Sequence, residues 1–168
     1  MKAIHKLLRS FVLLFALLLT ACAAQQPTSP KLADHTFEFD ARVDSRDSEV
    51  LAFKYGEGGT PQRQSPFWKN QTDARQATGT GGVMPVGDTL YVKWRTKSTN
   101  EVFEDLVNLK PLLPADMNRQ RIYFVVQGKQ LFVYRIEPTP RPQDWPIVGP
   151  RKFQYEKAHQ IYPISNIQ

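Results

Sequence analysis

The chain has one cysteine, three histidines and no apolar run long enough to cross a bilayer, and each scarcity closes off a class of protein. One cysteine cannot make an internal disulfide, so any fold must rest on a hydrophobic core. His5 lies near the start, and His35 and His159 stand far apart with no second histidine or cysteine at ligand spacing, which argues against a zinc site. No G-x-S-x-G turn presents a nucleophilic serine. Gly79-Thr80-Gly81-Gly82 is followed by no Lys-Ser/Thr pair and opens no helix, so it reads as a loop and not as a phosphate cradle. Basic residues are interspersed with acids, as in Asp44-Ser45-Arg46-Asp47-Ser48-Glu49, leaving no basic stripe to track a phosphate backbone; nucleic-acid binding drops out.

What is present begins with Lys2, Lys6 and Arg9, an apolar stretch over residues 11–19, and Leu19-Thr20-Ala21-Cys22. A positive start, a short apolar middle and small residues at the end describe a secretory leader. A membrane span needs about 20 apolar residues, roughly twice what this run supplies. The Leu-Thr-Ala-Cys ending resembles the lipobox of bacterial lipoproteins, which implies cleavage before Cys22 and acylation of that cysteine, including a palmitate-type chain. Ala23 follows in place of the Asp that would retain such a protein at the inner membrane, so the resemblance implies the outer membrane, periplasmic face. Several acyl chains, at about 0.8 kcal/mol per CH₂, make the anchor essentially permanent.

Cutting before Cys22 leaves 147 of the 168 residues, one domain's worth, and lowers the formal net charge from +6 to +3 as Lys2, Lys6 and Arg9 depart. The expected division is a signal peptide over residues 1–21, a lipidated tether over 22–34, polar with Pro27 and Pro30, and a folded domain over 35–168.

Within that domain the apolar period is two. Phe37, Phe39, Ala41 and Val43 alternate with Glu38, Asp40 and Arg42; Leu51, Phe53 and Tyr55 repeat the pattern; Leu90, Val92 and Trp94 alternate with Tyr91, Lys93 and Arg95. Residues 121–127 and 130–136 are apolar on both faces and meet at Gly128-Lys129, which predicts a central hairpin with a type II′ turn. Residues 101–110 fit either a helix or a strand; the strand is favoured because Asn100 supplies a turn before it. Residues 114–117 are expected to form one helical turn, and 153–161 a last strand. The class is therefore mainly β, a single-domain antiparallel β-sandwich with long loops and at most short helical turns.

Two stretches resist that pattern. The 27 polar residues 56–82 are expected as a long loop with Trp68 in the middle, and residues 138–150 carry five prolines around Trp145 and read as a stiff crossing. Trp94 in a strand belongs to the core. Trp68 and Trp145 lie in loops, where a large ring tucks back on a sheet or meets a partner, and Trp and Arg are the usual energetic centres of interfaces. Arg63, Trp68, Lys69, Arg75 and Trp145 are the candidate contact residues. Glu104 and Asp105, adjacent in a strand, point to opposite faces and do not make an acid–base pair. No catalytic residue, cofactor or metal ligand emerges, and the chain reads as a non-enzyme.

The run Met84-Pro85-Val86-Gly87-Asp88-Thr89-Leu90-Tyr91-Val92-Lys93-Trp94-Arg95, then Val102-Phe103-Glu104-Asp105-Leu106-Val107, then Leu113-Pro114 and the hairpin to Ile136 resembles small proteobacterial lipoproteins encoded beside type VI secretion effectors. The resemblance spans roughly residues 37 to 136 and assigns no contact residue position by position. It implies an immunity protein that binds and inhibits an antibacterial phospholipase effector in the periplasm. Two other readings stay open: a structural or assembly lipoprotein of an envelope secretion machine, and a small-ligand-binding lipoprotein.

Overall fold

Alternating apolar residues become strands here by pairing in two layers. The computed structural model describes residues 31–56, 62–63, 76–147 and 149–164. In chain order these form β1 (Leu32–Asp40), α1 (Ala41–Asp44), β2 (Ser48–Tyr55), β3 (Gln62–Arg63), β4 (Ala77–Pro85), β5 (Thr89–Thr96), β6 (Val102–Asn108), β7 (Arg121–Gln127), β8 (Gln130–Pro140), a 3-10 turn (Arg151–Phe153) and β9 (Glu156–Tyr162). One sheet, A, runs β4-β1-β7-β8-β9 and the other, B, runs β3-β2-β5-β6. Pairings are antiparallel except β1 beside β7. The fold is the expected mainly β sandwich.

Aromatic rings fill the space between the sheets. Phe39 of β1 stacks on Phe124 of β7 with centroids 4.5 Å apart and meets Phe53 of β2 edge-on at 5.2 Å. Leu90, Val92 and Trp94 of β5 complete the layer, all buried. Trp94 also donates its indole N–H to the Gly128 carbonyl at 2.8 Å, pinning sheet B to the β7–β8 hairpin. That hairpin turns on Gly128 at φ +53, and the β5–β6 connection turns at Asn100 with φ +59, both positions the sequence marks.

A second cluster lies on the outer face of sheet A. Tyr123, Val125, Tyr134, Ile136 and Ala158 are buried there under Phe153. β7 is consequently buried at five successive residues.

Several expectations change in detail. β1 starts at Leu32, inside the stretch assigned to the tether, and ends at Asp40, whose carboxylate accepts the Arg42 N–H at 3.2 Å and starts α1; Ala41 and Val43 thereby leave the strand. A bulge between Val50 and Ala52 displaces Leu51, so the core takes Val50 and Phe53. Residues 77–82, expected as loop, are strand β4, paired with β1 from Asp40 opposite Ala77 to Leu32 opposite Pro85. Residues 114–117 form no helical turn: Asp116 accepts the Asn118 N–H at 2.9 Å, a local bond that competes with helix, and Met117 is buried beside it. β8 runs on through Pro138 to Pro140 because a register irregularity between Glu137 and Pro140 interrupts the ladder there.

Candidate partner-docking face

Once β8 ends, the chain folds back over the outer face of sheet A as a strap, described over residues 141–147 and 149–155 and closed at its base by the Arg141 N–H donating to the Tyr155 carbonyl at 2.9 Å. Phe153 stands edge-on to Tyr123 at 5.0 Å. Gly149, at φ +101, passes so close to the sheet that an added Cβ would sit 3.1 Å from the Ala158 Cβ. Polar contacts fasten the far end: the Arg151 N–H donates to Asp44 at 2.7 Å and Lys152 pairs with Glu38 at 2.7 Å. Under it the Tyr123 hydroxyl donates to Asp44 at 2.7 Å and accepts the Asp40 N–H at 3.0 Å. Burial, with Asp44 adding to it, pushes the Tyr123 hydroxyl far above the usual phenol range, so it stays a neutral donor.

Where the strap stops, an open groove of about 630 Å³ remains, bordered by Asp34, Thr36, Arg119, Arg121, Pro138 and Tyr155 among others. Arg121 at its floor is paired with Glu38 at 2.7 Å and Glu156 at 3.3 Å. Arg119 is exposed and holds φ +60, fixed by its N–H donating to the Asp34 carbonyl while Asn118 accepts the Asp34 N–H at 3.0 Å. A non-glycine residue at positive φ stores about 1 kcal/mol or more and persists where surroundings determine it. Tyr155 is 77% exposed on the other border. Pairing of Val83 with Asp34 and of Pro85 with Leu32 carries two further exposed apolar side chains, Val83 and Leu32, along the same face.

Trp145 is the sequence-selected contact residue whose place is described. Its ring packs edge-on against His159 at 5.2 Å, its N–H reaches the Ala158 carbonyl at 3.4 Å, and the Lys157 ammonium sits 4.7 Å above it. It is half-buried and tucked against β9. The backbone of Arg63, in β3, pairs with Ala52 of β2; its side chain, Trp68, Lys69, Arg75 and Cys22 lie outside the described residues. Sequence reasoning passed over Arg119 and Tyr155. Asp116 and Asn118 gave a turn signal next to Arg119, whereas nothing in the sequence separates Tyr155 from a strand tyrosine.

Several described titratable groups elsewhere are engaged in structure. His35, buried, donates from Nδ1 to the Ala33 carbonyl at 3.0 Å, and its Nε2 lies 2.9 Å from the Tyr55 hydroxyl. Burial pushes Tyr55 up to about 12. Burial and the nearby Arg135 lower His159, while its Nε2 lies 2.7 Å from Glu137. Burial pushes Glu137 upward, but hydrogen bonds from His159 and Arg135 outweigh it and hold the carboxyl below its usual range. Glu104 meets Tyr91 and Lys93 on the outer face of sheet B, while Asp105 accepts from Tyr162 on the opposite face. Among the described residues no three His, Cys, Asp or Glu side chains come together as a metal site. No protein-family profile, curated protein or solved structure matches this chain.

Proposed function

We propose that this chain is a periplasm-facing outer-membrane lipoprotein that works by binding a protein, and that its partner is a type VI antibacterial phospholipase effector which it inhibits as an immunity protein. The observation that carries the binding reading is the groove on sheet A, where an exposed tyrosine and an exposed arginine with its backbone held in place flank an opening that the strap leaves uncovered. Tyr and Arg dominate the energetics of protein interfaces because each places a large, rigid or multiply donating group into a partner's pocket. The lipase reading rests on the lipobox-like Cys22 and the sequence resemblance: a phospholipase in the periplasm attacks the leaflet such an anchor occupies, and anchorage raises the inhibitor's local concentration there.

The test is a titration of the purified mature protein against the lipase encoded beside it, following affinity and lipase activity together. Tight binding with loss of activity supports the proposal. Tyr155→Ala and Arg119→Ala should each weaken binding about tenfold or more. A folded, active neighbouring lipase that does not bind sinks the immunity reading and moves the assembly-lipoprotein reading ahead of it.

A further inference from the structure

The two borders of sheet A are finished differently. At β9 the border is guarded by Trp145 and Lys157. At β4 no described residue covers it: β4 is an outer strand of the sheet, and its sequence Ala-Thr-Gly-Thr-Gly-Gly-Val-Met-Pro carries no charge. Two bonds fix which backbone groups face outward. The Val86 N–H donates to the Lys31 carbonyl at 2.8 Å and the Ala41 N–H to the Gln76 carbonyl at 2.6 Å, so the even-numbered residues of this stretch bond β1. The N–H and C=O groups of Ala77, Gly79, Gly81 and Val83 therefore point away from the sheet, and among the described residues nothing pairs with them. Natural sheets blunt such a border with Lys, Pro or a covering segment; among the described residues only Pro85 closes one end.

We infer that β4 receives an extended strand from a partner protein, which adds to sheet A through the outward groups of Ala77, Gly79, Gly81 and Val83. The inference rests on the reading of this chain as a protein-binding module and not on which protein is bound. A second copy of this chain is the poorer occupant. In an antiparallel pairing centred on Thr80, Gly79 would stand opposite Gly81 of the other copy, and two glycines place no side chain across the junction. A foreign strand with a large apolar or aromatic residue at that point fills the space instead. Its side chain can lie across Gly79 and Gly81 toward Thr36 and Glu38, which are near enough that a Cβ on Gly81 would meet the Thr36 hydroxyl at 2.9 Å and one on Gly79 the Glu38 Cβ at 3.5 Å. Backbone pairing then gives affinity and the alternate side chains give selectivity. Val83 and Leu32 continue the same face toward the groove bordered by Tyr155.

The test uses the purified mature protein and a phage-displayed library of random linear peptides. Enriched peptides should share a large apolar or aromatic position and slow the amide exchange of Ala77, Gly79, Gly81 and Val83. Gly79→Pro removes one outward N–H that no described residue uses and should weaken those peptides about tenfold or more, while Gly79→Ala, which keeps the N–H and has room for its Cβ in the free protein, weakens them less. Val83→Pro, aimed at another outward N–H, decides the matter if Gly79→Pro does not fold. No enrichment, peptides that bind both proline variants as tightly as the parent, or a dimer joined through β4 in sedimentation each overturns the inference. Peptide capture at β4 together with a neighbouring lipase that does not bind sinks the lipase reading alone.

Discussion

The outer faces of the two sheets make an instructive pair. On sheet B, β5 alternates buried and half-buried residues, and its outward Lys93 reaches Glu104 at 3.2 Å with both side chains substantially exposed. On sheet A, β7 is buried on both sides, because the strap lays Phe153 over Tyr123, Tyr134 and Ile136. One strand pair thus carries a surface ladder, whose ion pair contributes little, and the other carries a second core. A chain of this size has built three layers in place of two. The groove and the β4 border, which no described residue covers, both occur where that third layer ends, so the covering that stabilises sheet A also delimits its open surface.

The comparison breaks most visibly in the interior. Phe124→Ala, which removes a ring packed on Phe37, Phe39 and Phe53, should cost about 3–5 kcal/mol in urea denaturation. If the strap is a true layer, Phe153→Ala should cost about 3 kcal/mol. A loss under about 0.5 kcal/mol, typical of surface changes, would reduce the strap to a loose covering. Tyr123→Phe comes next, at about 1–3 kcal/mol, since it leaves the Asp40 N–H and the Asp44 carboxylate short of a buried partner.

How the sequence reveals each layer follows from the same contrast. Period-two alternation is visible only where one face is wet, so the pattern over Leu90, Val92 and Trp94 gave β5 its inward side directly. The uninterrupted apolar runs of β7 and β8 announced burial on both sides but not what covers them. The covering segment is rich in proline, which signals an extended path and says nothing of where Phe153 lands. β4 was hidden for a related reason: glycine marks turns and also the flat borders of sheets, and only the pairing with β1 separates the two. Val50 replaced Leu51 in the core through a bulge, which inserts one residue without any local composition signal. Of the candidate contact residues, Trp145 was found as a loop tryptophan, yet its tucked position depends on His159 and Lys157, distant in sequence.

The strap also meets sheet A at a histidine, a residue that the described strands of sheet B lack. His159, under Trp145, has its pKa lowered below the ordinary value of about 6.5 by burial and Arg135. The unfolded chain then holds more protons on this group than the folded one. Its contribution is complete above the ordinary histidine value and is lost as pH falls through the lowered value. Glu137 and Asp40, both lowered, add losses of the same sign at more acidic pH. His159→Gln keeps a donor for Glu137 and should flatten the decline of stability just below about pH 6.5, leaving the acid limb in place. An unchanged slope in chemical denaturation across that range would show that the histidine is not linked to folding.

The smallest effect tests the other side of the comparison. Leu106 projects from the outer face of sheet B and is 65% exposed, an apolar side chain whose removal from water was never part of folding. Leu106→Lys should change stability by no more than about 0.5 kcal/mol, and it should leave affinity for the lipase within about twofold, where Tyr155→Ala costs about tenfold. A Leu106→Lys protein that folds normally but loses partner binding would reverse the assignment of faces. The ladder of sheet B would then be the docking surface, and the groove on sheet A only the place where the strap runs out.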